Sequence, residues 1–200
     1  MTMRERMLAV VRLREHDRVP FVQYDGTGGP SEEIWSLIGR DRMGLLRWTA
    51  VHRVEHPDCA RESTHIEREG LSGTRTVMHT PEGSLTEERL RQPTYGAGVI
   101  RSHFVKEPAD YKVLAAFLRD AVVLPDMEAL ERILRELGED GLPHVCVDRT
   151  PYQQLWVRWV SIEDLALHLV DCPDLVEECV SLMAANLRKQ FEIAAKSPAP

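Results

Sequence analysis

The order of elements predicted from the sequence is that of an α/β protein with a mostly parallel sheet and helices outside it. Strand-like apolar stretches at 19–24, 43–54 and 144–147 alternate with amphipathic helical stretches, the alternation that builds βαβ units. The stretch at 144–147, after Gly141 and Pro143 punctuate a helix end, is short and mostly apolar, like a strand buried on both faces. Directly after it come Asp148, Arg149, Thr150, Pro151, Tyr152, Gln153 and Gln154, a polar crown where α/β folds place their ligands. Pro151 suits the first turn of a following helix. Asp148 and Arg149 either pair with each other across the loop or face a ligand.

Composition narrows the classes. Two hundred residues make one ordinary domain, 1–200, with enough apolar content (43%) to bury a core. A net charge of −7 argues against a nucleic-acid surface, which needs a basic face. No run of eighteen apolar residues is present to span a membrane. The opening MTMRERMLAVV is broken by Arg12 and Arg14 and lacks a small-residue cleavage site, so it does not read as a signal peptide. Cys59, Cys146, Cys172 and Cys179 show no CxxC spacing and read as reduced thiols of a cytoplasmic protein.

Taken in order, Thr2 and Glu5 make a capping box that opens a helix to about Arg14, with Met7, Leu8 and Val11 inward. The strand VPFVQY (19–24) leads into the glycine-rich loop 25–30, whose spacing fits neither a phosphate loop nor a dinucleotide fingerprint. Ser31 caps a short helix ended by Gly39. A second strand runs over 43–54, with Arg47, Trp48, Thr49 and His52 towards its far end. Residues 65–80 alternate with period two and predict a hairpin turning at 71–73, and 80–90 extends the strand-rich region. Helices follow after Pro108, with Tyr111, Leu114 and Leu118 on one stripe, and after Asp126, closed by Gly138. Ser161 caps another, with Leu165 and Leu169 inward. The longest runs from Pro173 to about Lys196, with Leu175, Cys179, Leu182, Ala185 and Phe191 on its face. Three strands of this kind do not close a barrel, which takes roughly 250 residues, so the chain reads as an amino-terminal portion or as one completed by a partner.

Four segments, RERMLAVVRLREHDRVPF (4–21), TPEGSLTEERL (80–90), FVKEPADYKVLAAFLRD (104–120) and GLPHVCVDRTPYQQLW (141–156), resemble the uroporphyrinogen decarboxylase (URO-D) superfamily. The resemblance spans nearly the whole chain but only the first half or so of a family member. It lies closer to the corrinoid-linked methyltransferase branch than to the decarboxylases. It implies a TIM-type (β/α)8 barrel, here its incomplete amino-terminal part with an inserted β-hairpin. The expected function is corrinoid-linked methyl transfer on a small substrate. The alternatives are a porphyrin-biosynthesis lyase, or a non-catalytic half-barrel that pairs with another chain. Departures weigh against the lyase. After the first strand stands QYDGTGG, without the arginines that would grip carboxylates, and LLRWTAVH offers no acid at the second strand's end.

The substrate-binding candidates are the polar groups at the strand ends: Asp25, Arg47, His52, Asp148, Arg149, Tyr152 and Gln153. No catalytic residue and no metal ligand is assigned. The relatives' zinc is held by a His-x-Cys pair and a later Cys, activating a thiol. His144 and Cys146 have that spelling on one strand face, yet sit on an early strand and read first as core; His52, His56 and Cys59 form a weaker set, interrupted by Pro57. Zinc and a corrinoid are expected of a full-length relative and assigned to no residue here. The expected partners are a small-molecule substrate, a corrinoid protein and a second copy of the chain, not nucleic acid or membrane. His168 reads as a structural histidine, Cys172 and Cys179 as core, and Glu82, Glu87 and Glu88 as a solvated face.

Overall fold

Strand and helix do alternate at both ends of the chain, but an antiparallel sheet stands between. The computed structural model describes residues 1–25, 27, 31–92 and 98–200, so most of the glycine-rich loop lies outside the described residues. Two compact units share the chain: residues 1–53, 124–147 and 190–200 form the first, residues 54–123 and 148–189 the second. The described strands fall into sheets of three, two and four, and none of these closes into a barrel. No helix among the described residues is long and apolar enough to cross a membrane.

The first unit is a parallel sheet of β1 (Phe21–Tyr24), β2 (Met43–Thr49) and β9 (Gly141–Val145), in that order. Helices α2 (Ser31–Ile38) and α4 (Glu128–Leu137) lead into β2 and β9 and share one face of the sheet. There Trp35, Ile133 and Leu137 pack on Met43 and Leu45. Trp35 is also tied down by its Nε1, which donates to the Met43 carbonyl at 2.8 Å. The other face is covered at its amino end by α1 (Met3–Val11), whose Met3 and Met7 meet Leu142, Val22 and Leu46. The Thr2–Glu5 capping box is present as expected. Met7 and the partly buried Leu8 face inward as expected, joined by Met3 and Ala9, while Val11 is exposed. Arg6 joins the inward residues as a buried cation, its fork closed on both oxygens of Asp17 at 2.6 and 2.7 Å. That bond holds the Asp17 carboxyl far below its usual range.

Two boundaries differ from expectation, each for a steric reason. Gly141 and Pro143 lie inside β9 rather than before it. A Cβ on Gly141 would stand 2.3 Å from the Leu45 carbonyl oxygen, so only glycine lets the two strands approach there. Pro143 is tolerated because β9 is an edge strand among the described residues. The stretch 43–54 is also not one strand: β2 ends at Thr49, and β3 (His52–Glu55) pairs instead with β8 (Val122–Pro125), a short strand the hydrophobic pattern did not mark.

The second unit carries a four-stranded antiparallel meander of β4 (Ala60–Arg68), β5 (Leu71–Thr80), β6 (Gly83–Arg91) and β7 (Gly98–Ser102). The first hairpin turns at Glu69 and Gly70, not at 71–73. Both residues have positive φ (54° and 73°), as the two-residue turn matching strand twist requires. Its core joins α3 (Asp110–Arg119), α5 (Pro151–Gln154) with the π-helical turn Leu155–Trp159, α6 (Ile162–Asp171) and α7 (Pro173–Ala195). Tyr111, Leu114, Phe117, Leu118, Leu155 and Trp159 are buried there, so the stripe expected on α3 holds. On α7 the buried apolar residues are Val176, Cys179 and Met183, while Ala185 and Phe191 are exposed. On α6, Leu165 is buried and Leu169 exposed. His168 is buried, with Nδ1 3.2 Å from the Tyr111 hydroxyl, as befits a structural histidine. Glu87 and Glu88 are buried rather than solvated, because arginines accompany them. Glu88 accepts from Arg68 Nη1 at 2.6 Å and Arg75 Nη2 at 2.7 Å, which lowers its pKa.

Candidate functional site at the ends of the parallel strands

The period of two divides the carboxyl ends of β1, β2 and β9 into two different surfaces. On the helix-covered face, Arg47 stands beside Asp25. Its Nε donates to Asp25 Oδ2 at 2.6 Å, its Nη1 pairs with Glu136, and Ser31 Oγ donates to Asp25 Oδ1 at 2.9 Å. A cleft of about 370 Å³ runs past this group, lined also by Glu32, Trp35, Arg40 and Asp140. Arg40 is held as Arg47 is: it bridges Glu32 at 2.8 Å and Asp140 at 2.6 Å and lies over the Trp35 ring at 4.3 Å. Each arginine in the cleft thus bridges two carboxylates. The cleft is an ion-pair lattice fastening α2 and α4 to the sheet.

The opposite face presents rings. Leu46, Trp48, Tyr24, Leu142 and His144 alternate onto it, and α1 covers only its amino end. Trp48 stands edge-on to Tyr24 at 5.2 Å and to His144 at 6.3 Å, while Tyr24 and His144 are nearly parallel at 6.1 Å. All three rings are exposed, Trp48 by 63%. Three adjacent aromatic side chains in water at strand carboxyl ends form an adhesive surface rather than core. His144, expected as core, is therefore on the open side. Trp48, noted at the far end of its strand, and Tyr24 are not among the expected binding residues, although counting residues in twos from the buried Met43 and Leu45 puts Trp48 on the face opposite Arg47.

The remaining candidates are placed as follows. His52 is half-buried on β3. In the second unit Asp148 does pair with an arginine, but with Arg158 (2.9 Å) rather than Arg149. Arg149 is exposed, and its carbonyl accepts from Gln154 Nε2 at 2.8 Å. Tyr152 and Gln153 are exposed on α5; the Tyr152 hydroxyl reaches Glu177 at 3.4 Å, and Gln153 Oε1 accepts from Thr150 at 3.4 Å.

The donor sets do not fit zinc. Among the described residues no three His, Cys, Asp or Glu side chains converge on a metal position. Cys146 Sγ lies 3.5 Å from the His144 carbonyl, and burial raises its pKa. His56 stacks on Phe117 at 3.8 Å, and the Cys59 thiol is pushed up to about 11, first by burial and then by its bond to Asp120. Protonated thiols are poor ligands.

Comparisons with protein-family models, curated proteins and solved structures find no match for this chain.

Proposed function

We infer that the chain is a portion of a URO-D-superfamily enzyme. Its first unit would open a (β/α)8 barrel, with Tyr24, Trp48 and His144 forming the floor against which a flat macrocycle or a small substrate binds. One observation carries this: the three parallel strands β1, β2 and β9 have α2 and α4, the helices that lead into β2 and β9, on one face and an exposed aromatic cluster at the carboxyl end of the other. A doubly wound sheet would distribute its helices over both faces, whereas a barrel keeps them outside and leaves the inner face for ligand. Here α1, which connects no strands, closes the amino end of the ring-bearing face. Methyl transfer to or from a corrinoid is favoured over porphyrinogen decarboxylation. Arg40 and Arg47 in the cleft are each engaged by two carboxylates, so neither is free to grip a substrate's acid groups. When bound, a corrinoid would supply the methyl-carrying metal, and these residues would offer it a flat apolar surface.

Titrating the full chain with hydroxocobalamin and with uroporphyrin, followed by tryptophan fluorescence, tests this assignment. Saturable quenching by the corrinoid, weakened at least about tenfold in Trp48→Ala, is expected for loss of a stacking ring. Absence of quenching by either macrocycle, or equal affinity in Trp48→Ala and His144→Ala, would overturn it. Stronger binding of uroporphyrin would favour the lyase. The half-barrel alternative rests on β1 and β9, each with one strand neighbour among the described residues. It requires a stable dimer or hetero-complex by light scattering.

A further inference from the structure

We propose that Arg61 and its aromatic surround in the second unit form a binding site for a small oxyanion, a carboxylate or a phosphate. Independent of the barrel assignment, the site rests on a surplus of hydrogen-bond donors at one place.

Arg61 projects from β4 over three rings. Its Cζ is 4.5 Å from the centre of Phe117, 5.1 Å from Trp159 and 5.7 Å from Phe104. The rings touch one another, Phe104 to Trp159 at 5.5 Å and Phe117 to Trp159 at 5.8 Å, so they make a continuous wall. Ring faces attract a guanidinium but give its in-plane N–H groups no carboxylate-like acceptor. Among the described residues the Arg61 side chain has no ion pair and no hydrogen bond, in contrast to those of Arg6, Arg40, Arg47, Arg68 and Arg75, each matched to a carboxylate. Arg61 is exposed as a residue, yet packing of its guanidinium against the wall lowers its pKa, with Glu87 opposing and Arg158 adding to the shift.

A second donor at the same wall is unmatched. Trp159 is 5% exposed, and its Nε1 is buried with no acceptor among the described residues. An unmet buried N–H is costly, and this one belongs to a ring that the Arg61 guanidinium packs against. The two charged groups that act on Arg61 have partners of their own: Arg158 pairs with Asp148 at 2.9 Å, and Glu87 with Arg89 at 3.5 Å. A planar carboxylate or a phosphate face matches a guanidinium fork with two parallel hydrogen bonds, and the ring wall would accept the apolar part of such a ligand.

The test follows the indole N–H resonances of the full chain by nuclear magnetic resonance, that of Trp159 identified by its loss in Trp159→Phe. Sodium acetate and inorganic phosphate are titrated separately at constant ionic strength. The expected result is a saturable shift of the Trp159 signal with an apparent Kd of about 1–10 mM for at least one anion. The other three indoles should stay in place. A response to acetate alone assigns a carboxylate ligand, and a response to phosphate alone a phosphate. Arg61→Gln should weaken the response at least about tenfold, as should Arg61→Lys, which keeps the charge but not the fork. No saturable shift up to about 50 mM of either anion, or an unchanged titration in folded Arg61→Lys, would overturn the proposal.

Discussion

Replacing Arg47 with alanine separates the two roles a strand-end arginine can have. The Arg47 side chain is 30% exposed and that of Asp25 23%, so their 2.6 Å bond is screened less than a surface pair. Losing a charge-assisted bond of this burial costs about 1.5–3 kcal/mol, because Asp25 keeps its charge and, among the described residues, only the Ser31 hydroxyl remains as side-chain partner. Glu136, half exposed, adds only about 0.5 kcal/mol. Arg47→Ala should therefore destabilise by about 2–3 kcal/mol, seen as a lower urea midpoint at unchanged slope. In a double-mutant cycle with Asp25→Ala the coupling should exceed about 1 kcal/mol, and with Glu136→Ala it should fall near about 0.3 kcal/mol. Macrocycle or substrate affinity of the folded variant should be unaltered, since every part of this ion-pair group lies on the helix-covered face. A coupling to Asp25 near zero, or affinity lost while stability is kept, would refute the reasoning and return Arg47 to ligand binding.

Three further outcomes are expected. Trp35→Phe removes one N–H and keeps most of the ring, so it should cost about 1–2 kcal/mol, against about 3–5 kcal/mol for Trp35→Ala, measured by urea unfolding. Glu88 has a lowered pKa from the bonds of Arg75 and Arg68. Its contribution is therefore complete above the ordinary value of 4.5 and is lost as pH falls through the lowered one, so Glu88→Gln should flatten the acid limb of a stability–pH profile. Cys179 is fully buried with its thiol pushed up to about 12. A disulfide reagent at neutral pH should leave it unmodified in the native chain and modify it in urea.

Local signals in the sequence determined the ends of several elements. The Thr2–Glu5 box, Ser161 at the start of α6 and Gly138 after α4 act through backbone bonds within a few residues, and each was legible. The parallel direction of β1, β2 and β9 also followed from alternation with helices. Tertiary packing decided what no local pattern contains. Gly141 and Pro143 look like punctuation along the chain and become strand only because β2 comes close enough to need a missing Cβ. Glu87 and Glu88 look solvated until arginines converge on them; Arg68 and Arg75, which hold Glu88, come from other strands. At the strand ends the sequence marked charge as the sign of a site, but proximity pairs those charges with one another. The open surface falls to Tyr24, Trp48 and His144, because which face of a sheet stays uncovered depends on where distant helices pack.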